Sequence, residues 1–113
     1  MTTDNLTPLN PDAIGGIEFA FFRLQPGVSE GDLAAIAHRV DAEFMAGRDG
    51  ILAHFVVKGD NGLYADVVLA DSRERAEQVC ALWTEHAATL AFIELLEPES
   101  IDMSFWARLK LPA

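Results

Sequence analysis

The chain has 113 residues, half of them hydrophobic, and its formal net charge at pH 7 is −10. A chain of this length and composition is expected to fold as one small domain with its own core. The acidic balance argues against nucleic acid and anionic membrane as partners, because binding to phosphate groups depends on neutralisation by Lys and Arg.

Cysteine content and hydropathy indicate the compartment. The single cysteine, Cys80, excludes a disulfide framework and a cysteine-rich metal site. No apolar stretch approaches the length of a membrane span, and the first 16 residues lack the basic start and apolar core of a signal peptide. We therefore expect a cytoplasmic protein without a membrane partner.

The first 16 residues contain Pro8, Pro11 and a Gly15-Gly16 pair and show no hydrophobic periodicity. We interpret residues 1–16 as an N-terminal arm and residues 17–113 as a single domain. The apolar run IEFAFFRL predicts a first strand over residues 17–24, and the following Gln-Pro-Gly ends it.

The first helix is predicted to begin after Ser29, a favourable N-cap, with Glu30 and Asp32 placed beside the positive helix end. His38 points away from the apolar stripe of this helix, which indicates a solvated surface histidine. The stripe has helical spacing and consists of Leu33, Ile36, Ala37, Val40 and Phe44.

A hairpin over residues 51–70 is the strongest local signal in the chain. Its two runs, ILAHFVVK and LYADVVLA, are separated by Gly-Asp-Asn-Gly. Asn61 and Gly62 tolerate the positive φ angles of a tight turn, so residues 51–58 and 63–70 are predicted to pair as antiparallel strands.

The second helix is predicted to begin at Asp71, with Glu74 completing a capping-box pattern. Residues 88–96 are apolar enough for a short further helical piece before Pro98, and residues 101–109 form the last predicted strand. The apolar stripe of the second helix consists of Ala76, Val79, Cys80, Trp83 and Ala87.

The order strand, helix, strand, strand, helix, strand predicts an α+β fold of the ferredoxin-like βαββαβ type. In this arrangement the four-stranded sheet is antiparallel throughout, with strand order 4-1-3-2. His54 then lies opposite Val68 and diagonal to Asp66 on the neighbouring strand, within reach of a long side chain.

Two helices can cover only one face of such a sheet. We predict that the covered face carries the purely apolar residues of each strand, namely Phe19, Phe21, Phe55, Val67, Met103 and Phe105. The opposite face would present Phe22, Leu24, Leu52, Val56, Val68 and Trp106. Since this patch is too apolar for a monomer, we expect a homodimer in which two sheets close into a barrel.

Polar residues on that second face form the candidate site. We interpret His54 as a general base or proton shuttle and Asp66 as the carboxylate that orients its ring. The candidate ligand-binding residues around this pair are Glu18, Phe22, Tyr64, Ser104, Trp106 and Arg108. The alternative is structural: His54 bonds Asp66, and Glu18 pairs with Arg108, only to satisfy polar groups inside a dimer.

Other chemistries have weaker signals. No paired-histidine spacing points to a metal, so we expect neither a metal nor a cofactor. Ser104 lacks the glycine pattern of a nucleophile elbow, and Cys80 belongs to a helix stripe.

The order of elements and three segments, LQPGVS, GLYADVVLADSRERA and FIELLEPESIDMSFW, give the chain a family resemblance over residues 17–109. It resembles the dimeric α+β barrel superfamily, which includes antibiotic-biosynthesis-type monooxygenases and small stress-responsive barrel proteins. The resemblance implies a small hydrophobic molecule in the barrel or in the cleft beside it.

Some members of that superfamily oxidise aromatic substrates without metal or flavin, and others degrade haem. Trp83 and His86 lie three residues apart on one predicted helix, so they do not match the Asn-Trp-His set of the haem-degrading members. Two hypotheses remain: a cofactor-independent monooxygenase-like enzyme acting on a small aromatic molecule, or a noncatalytic, stress-related or ligand-binding homodimer.

Overall fold

The computed structural model describes residues 9–110, which form a four-stranded antiparallel sheet. The strands are β1 (Gly16–Phe22), β2 (Ile51–Lys58), β3 (Tyr64–Ala70) and β4 (Asp102–Ala107), and their order across the sheet is β2-β3-β1-β4. This is the predicted order, and it confirms the ferredoxin-like α+β fold.

Helices α1 (Glu30–Val40), α2 (Arg73–Ala81) and α3 (Ala87–Glu94) pack against one face of the sheet, here called the inner face. A π-helical turn, Asp41–Met45, continues α1. Within residues 9–110 we find no helix long and apolar enough to cross a membrane.

Helix starts follow local capping chemistry. Ser29 and Asp32 form a reciprocal capping box at α1, which confirms the predicted N-cap. The predicted cap of α2 is wrong: Ser72 rather than Asp71 accepts the backbone N–H of Arg75. Both residues are good caps, so the sequence alone does not distinguish them.

The hairpin turn confirms the prediction from Asp-Asn-Gly. Asn61 and Gly62 have φ angles of 58° and 81°, and the Gly59 N–H donates to the Leu63 carbonyl over 2.7 Å. The strand register places His54 opposite Val68 and Val56 opposite Asp66, as the turn requires.

The predicted face assignment is wrong for β1, β2 and β3. Phe21 and Phe55 are 37% and 43% exposed, whereas Phe22 is fully buried and Val56 packs against the core. For β4 the assignment holds, because Met103 and Phe105 lie opposite Ala20 and Glu18 of the inner face. The fully buried core side chains include Phe22, Val40, Val68 and Phe92.

The sheet face away from the helices, here called the open face, is apolar. Exposed or half-buried side chains of all four strands share it, and two of them, Phe19 and Phe21, stack with ring centroids 5.9 Å apart. An uncovered apolar sheet face was therefore predicted correctly, but apart from Trp106 on β4 its residues are different. They include Ile17, Phe19, Phe21, Phe55, Val57, Leu69 and Trp106.

Part of the predicted N-terminal arm, residues 1–8, lies outside the described residues. A short 3-10 turn, Pro11–Ala13, precedes β1, and the Arg108 guanidinium donates to the carbonyls of Pro11 and Ile14. A Cβ at Gly15 would lie 1.9 Å from the Asp71 carbonyl oxygen, so this close approach requires glycine. The division into arm and domain stays a prediction.

The corrected core yields a stability prediction. Phe22→Ala should lower the free energy of unfolding by about 3–5 kcal/mol, through lost burial and the cavity that remains. His38→Ala, on the exposed side of α1, should change it by less than about 0.5 kcal/mol. Urea denaturation followed by circular dichroism measures both, and equal shifts in midpoint would contradict the inner-face assignment.

Candidate functional site

A cavity of about 180 Å³ lies between the inner sheet face and the α2–α3 segment. Most of its wall is apolar, and only a few polar side chains, Glu18, Asp66, Cys80 and Thr84, reach it. The apolar part of the wall consists of Ala20, Phe22, Trp83, Phe92, Ile93, Leu96, Ile101 and Met103.

Strand alternation places the two carboxyl groups in this wall. Glu18, Ala20 and Phe22 are alternate residues of β1 and therefore share the inner face, and Ala20 lies opposite Asp66 of β3. The small side chain of Ala20 leaves room above the sheet at the point where the larger Glu18 and Phe22 flank it. The cavity therefore follows from a small residue between two large ones.

His54 and Asp66 are hydrogen-bonded across β2 and β3, with 2.6 Å between His54 Nε2 and Asp66 Oδ1. Each side chain is only 2% exposed. On its other side the ring makes a longer contact, 3.4 Å from His54 Nδ1 to Asp41 Oδ1. The strand pairing predicted that the first two residues meet; their functional role stays a prediction.

His54 lies between two acidic side chains, Asp66 and Asp41, and both affect its pKa. Burial is the largest influence on the pKa of His54 and lowers it, but Asp66 and the charge of Asp41 outweigh burial and raise this pKa overall. Burial also raises the pKa of Asp66, against the hydrogen bond and charge of His54. The imidazole therefore stays protonated to higher pH than a free histidine.

Glu18 is a second buried acid, 3% exposed, on the same cavity wall. Burial, followed by the negative charge of Asp66, raises its pKa to about 8, and the charge of His54 only partly opposes this. At neutral pH the Glu18 carboxyl group is therefore mostly protonated and can donate a hydrogen bond.

Two buried polar atoms on residues of the cavity wall have no partner within the described chain: Asp66 Oδ2 and Trp83 Nε1. Buried polar groups are normally hydrogen-bonded, and a group that is not costs about 1–3 kcal/mol. One acceptor and one donor thus remain available to a bound molecule.

The other predicted site residues lie in four different places. Phe22 lines the cavity together with Glu18 and Asp66, and His54 bonds Asp66. Tyr64 lies at the far end of β3, where its hydroxyl donates to Glu30.

Ser104 and Trp106 lie on the open face and bond each other through Trp106 Nε1, since Glu18 pairs with Phe105 rather than with Trp106. Arg108 lies beyond β4 and contacts the N-terminal segment instead of Glu18.

Sequence reasoning missed Asp41 and the cavity role of Trp83. Trp83 was interpreted as part of a core stripe, and it does pack edge-on against Phe92 at 5.3 Å. Burial raises the pKa of the Cys80 thiol to about 12, which makes it a poor nucleophile. Over residues 9–110 no group of three or more His, Cys, Asp or Glu side chains is arranged to hold a metal ion.

The raised pKa of Glu18 predicts a pH-dependent stability. The folded state keeps a proton between pH 4.5 and about 8 that the unfolded state loses, so stability falls as pH rises through this window. The full difference is at most about 5 kcal/mol, at about 1.4 kcal/mol per pKa unit. Glu18→Gln, which mimics the protonated acid, should flatten the decline in urea midpoint between pH 5 and 8.

The remaining slope in that variant belongs to His54 and Asp66, whose raised pKa values also make stability fall with rising pH. Glu85→Gln, at an exposed position, is the matched control and should leave the wild-type pH dependence unchanged. An unchanged slope in Glu18→Gln would show that Glu18 titrates as an ordinary surface acid.

No protein-family model matches the sequence, and comparison with curated proteins finds no match. Solved structures do share the fold. A protein from Caulobacter crescentus, provisionally assigned as an antibiotic biosynthesis monooxygenase, matches with a TM-score of 0.66 and 16% identity, covering 87% of this chain and 93% of the other.

Two further structures extend the comparison. SnoaB, a cofactor-independent oxygenase from Streptomyces nogalater, matches with a TM-score of 0.63 and 16% identity over 88% of this chain and 99% of its own. A dimeric ferredoxin-like protein from an uncultured marine organism matches at 0.57 and 14% identity, covering 92% and 96%. The chain therefore shares the ferredoxin-like α+β fold with these three proteins.

Proposed function

We propose that the protein binds a small hydroxylated aromatic molecule in the inner cavity and acts on it as a cofactor-independent monooxygenase-like enzyme. One observation carries the proposal: Asp66, one of the few polar residues of a mostly apolar cavity wall, has one carboxylate oxygen without a partner in the described residues, while His54 bonds its other oxygen. An apolar pocket with a few convergent polar groups is the usual form of a small-molecule site.

The size and lining of the cavity set the class of ligand. Its volume of about 180 Å³ is below the ~300–1,000 Å³ of pockets for drug-sized molecules, which favours a compound with one or two rings. Phe22, Trp83 and Phe92 supply ring faces and edges for aromatic packing.

The charges of the site favour a neutral ligand. Protonated Glu18 carries no charge, and the charges of His54 and Asp66 compensate each other. The cavity offers hydrogen-bond donors in Glu18 and Trp83 and one acceptor in Asp66 Oδ2. A phenol that also carries a carbonyl group would satisfy both kinds of partner.

Asp66 supplies the chemistry for the first step. A phenol hydroxyl bound to Asp66 Oδ2 can transfer its proton to the carboxylate, with His54 stabilising the result through its hydrogen bond. The phenolate is more electron-rich than the phenol and is the form that reacts with molecular oxygen. The likeness in fold to SnoaB, a cofactor-independent oxygenase, supports this choice of chemistry.

We also propose that the open face pairs with a second copy of the chain, closing two sheets into a barrel. Exposed aromatic side chains on this face, including Phe21, Phe55 and Trp106, form a patch of the kind that marks an interface. The shared fold with a dimeric ferredoxin-like protein supports a homodimer.

Replacement of Phe55 tests the dimer. Phe55→Glu places a charge on the proposed interface and should yield a folded monomer in sedimentation velocity at micromolar concentration. Leu90→Glu is the matched control: Leu90 is as exposed as Phe55, 43%, but lies on α3, away from the open face, so this variant should stay dimeric. A compact wild-type monomer would refute the interface.

The fluorescence of Trp83 tests ligand binding. The chain has two tryptophans, so a Trp106→Phe background leaves Trp83 alone on the cavity wall. In this background 1-naphthol should quench the fluorescence and bind about tenfold more tightly than naphthalene, because only the naphthol donates a hydrogen bond to a charged acceptor. Asp66→Asn should abolish that preference, whereas Glu85→Gln should keep it.

An oxygen electrode with a dihydroxynaphthalene then separates the two functional hypotheses. Oxygen consumption that disappears in Asp66→Asn supports the enzyme. Preferential naphthol binding without oxygen consumption supports the noncatalytic ligand-binding alternative. Equal quenching by naphthol and naphthalene, or none by either, contradicts the proposed site.

A further inference from the structure

We propose that Asp41, His54 and Asp66 form a proton relay between solvent and the inner cavity, with Asp41 as its outer end. The inference rests on the proposed function, since a proton removed from a bound molecule must leave the cavity before the next turnover. It adds a residue, Asp41, that does not line the cavity and acts through His54.

The three side chains form a continuous line from water to the cavity wall. Asp41 is 55% exposed, while His54 and Asp66 are each 2% exposed. Asp41 Oδ1 is 3.4 Å from His54 Nδ1, and His54 Nε2 is 2.6 Å from Asp66 Oδ1. The remaining oxygen of Asp66 has no partner within the described residues.

An imidazole between two carboxylates can exchange a proton with each of them. In the resting pair His54 carries protons on both ring nitrogens and Asp66 is a carboxylate, so His54 Nδ1 first gives its proton to Asp41, which releases it to water. Asp66 Oδ2 then takes the proton of the ligand, beside a neutral ring whose Nε2–H still donates to Oδ1. The resting pair is restored when the ring turns its unprotonated nitrogen toward Asp66 and takes up that proton.

The backbone around the relay is irregular on both sides. Asp41 begins the π-helical turn Asp41–Met45, closed by a 2.8 Å bond from the Ala46 N–H to the Asp41 carbonyl. In β2 the pairing register shifts between Ile51 and Ala53, next to His54. Single π-helical turns and β-bulges both occur preferentially at functional sites.

The surroundings of His54 leave few other routes for a proton. Trp83 packs against the ring with centroids 6.3 Å apart. The titratable groups that interact with the histidine are Asp66 from β3, Glu18 from β1 and Asp41 from the π-helical turn. Of these only Asp41 has an exposed side chain.

A structural role for Asp41 would contribute little. Asp41 is 55% exposed, so water screens its attraction to His54 and the pair adds little to stability. The outer end of a relay must accept protons and exchange them with water, and the exposed carboxylate of Asp41 can do both.

The relay is tested without any ligand by NMR of protein labelled with ¹⁵N-histidine. The measurement is the exchange rate of the His54 ring N–H protons with water, compared between variants at equal fractional protonation of His54. Asp41→Asn keeps the shape but cannot take up a proton, and it should slow exchange by about tenfold or more. Asp41→Glu should restore most of the rate.

Glu43→Gln is the matched control, because it removes one negative charge from the same turn without contact to His54. Exchange should then stay within about twofold of wild type. A charge that does not contact His54 only shifts its pKa, and comparing the variants at equal protonation of His54 removes that effect. Equal slowing in Glu43→Gln and Asp41→Asn, or no slowing in Asp41→Asn, overturns the relay.

The outcomes of this experiment and of the naphthol assay are independent. Normal exchange in Asp41→Asn together with naphthol binding that depends on Asp66 refutes the relay alone. Slowed exchange without naphthol binding in the wild-type cavity refutes the proposed function and leaves a relay that serves another ligand.

Discussion

The hydrogen bond between His54 and Asp66 constrains the rest of the inner face. Removing two charged groups from water costs several kcal/mol each, and only close pairing offsets that cost. A slip of one residue between β2 and β3 would turn His54 to the open face and leave Asp66 buried without its partner. The buried pair therefore stabilises one register of the hairpin, and through β3 it fixes where β1 and the cavity lie.

Local signals were enough to predict the elements and their order. The Asp-Asn-Gly turn, the Ser29 cap and the apolar strands each depend on residues close in sequence, and the antiparallel order follows from their succession. Which face of the sheet the helices cover could not be predicted from residues close in sequence. Both faces of β1, β2 and β3 are apolar, and Glu18, His54 and Asp66 made the true inner face look like the less buried one.

The candidate site could be predicted in part, where strand pairing alone brings its residues together. Strand pairing brought His54 to Asp66, because the turn fixes their offset. Asp41 and Trp83 were missed, since their positions depend on a π-helical turn and on the break between α2 and α3, neither of which has a periodic signature. Ser104 and Trp106 were placed on one face with Glu18 because no turn sets the β1–β4 register; in the structure Glu18 pairs with Phe105, so the two residues lie on the opposite face from Glu18.

The protonated state of Glu18 changes the electrical character of the folded protein. The formal charge of −10 counts every carboxyl group as ionised and every histidine as neutral. Glu18, with its pKa raised to about 8, and His54, with its raised pKa, both retain protons that this count omits. Near pH 7 the native chain therefore carries less net negative charge than the formal count, because these two side chains hold protons more tightly in the folded than in the unfolded chain.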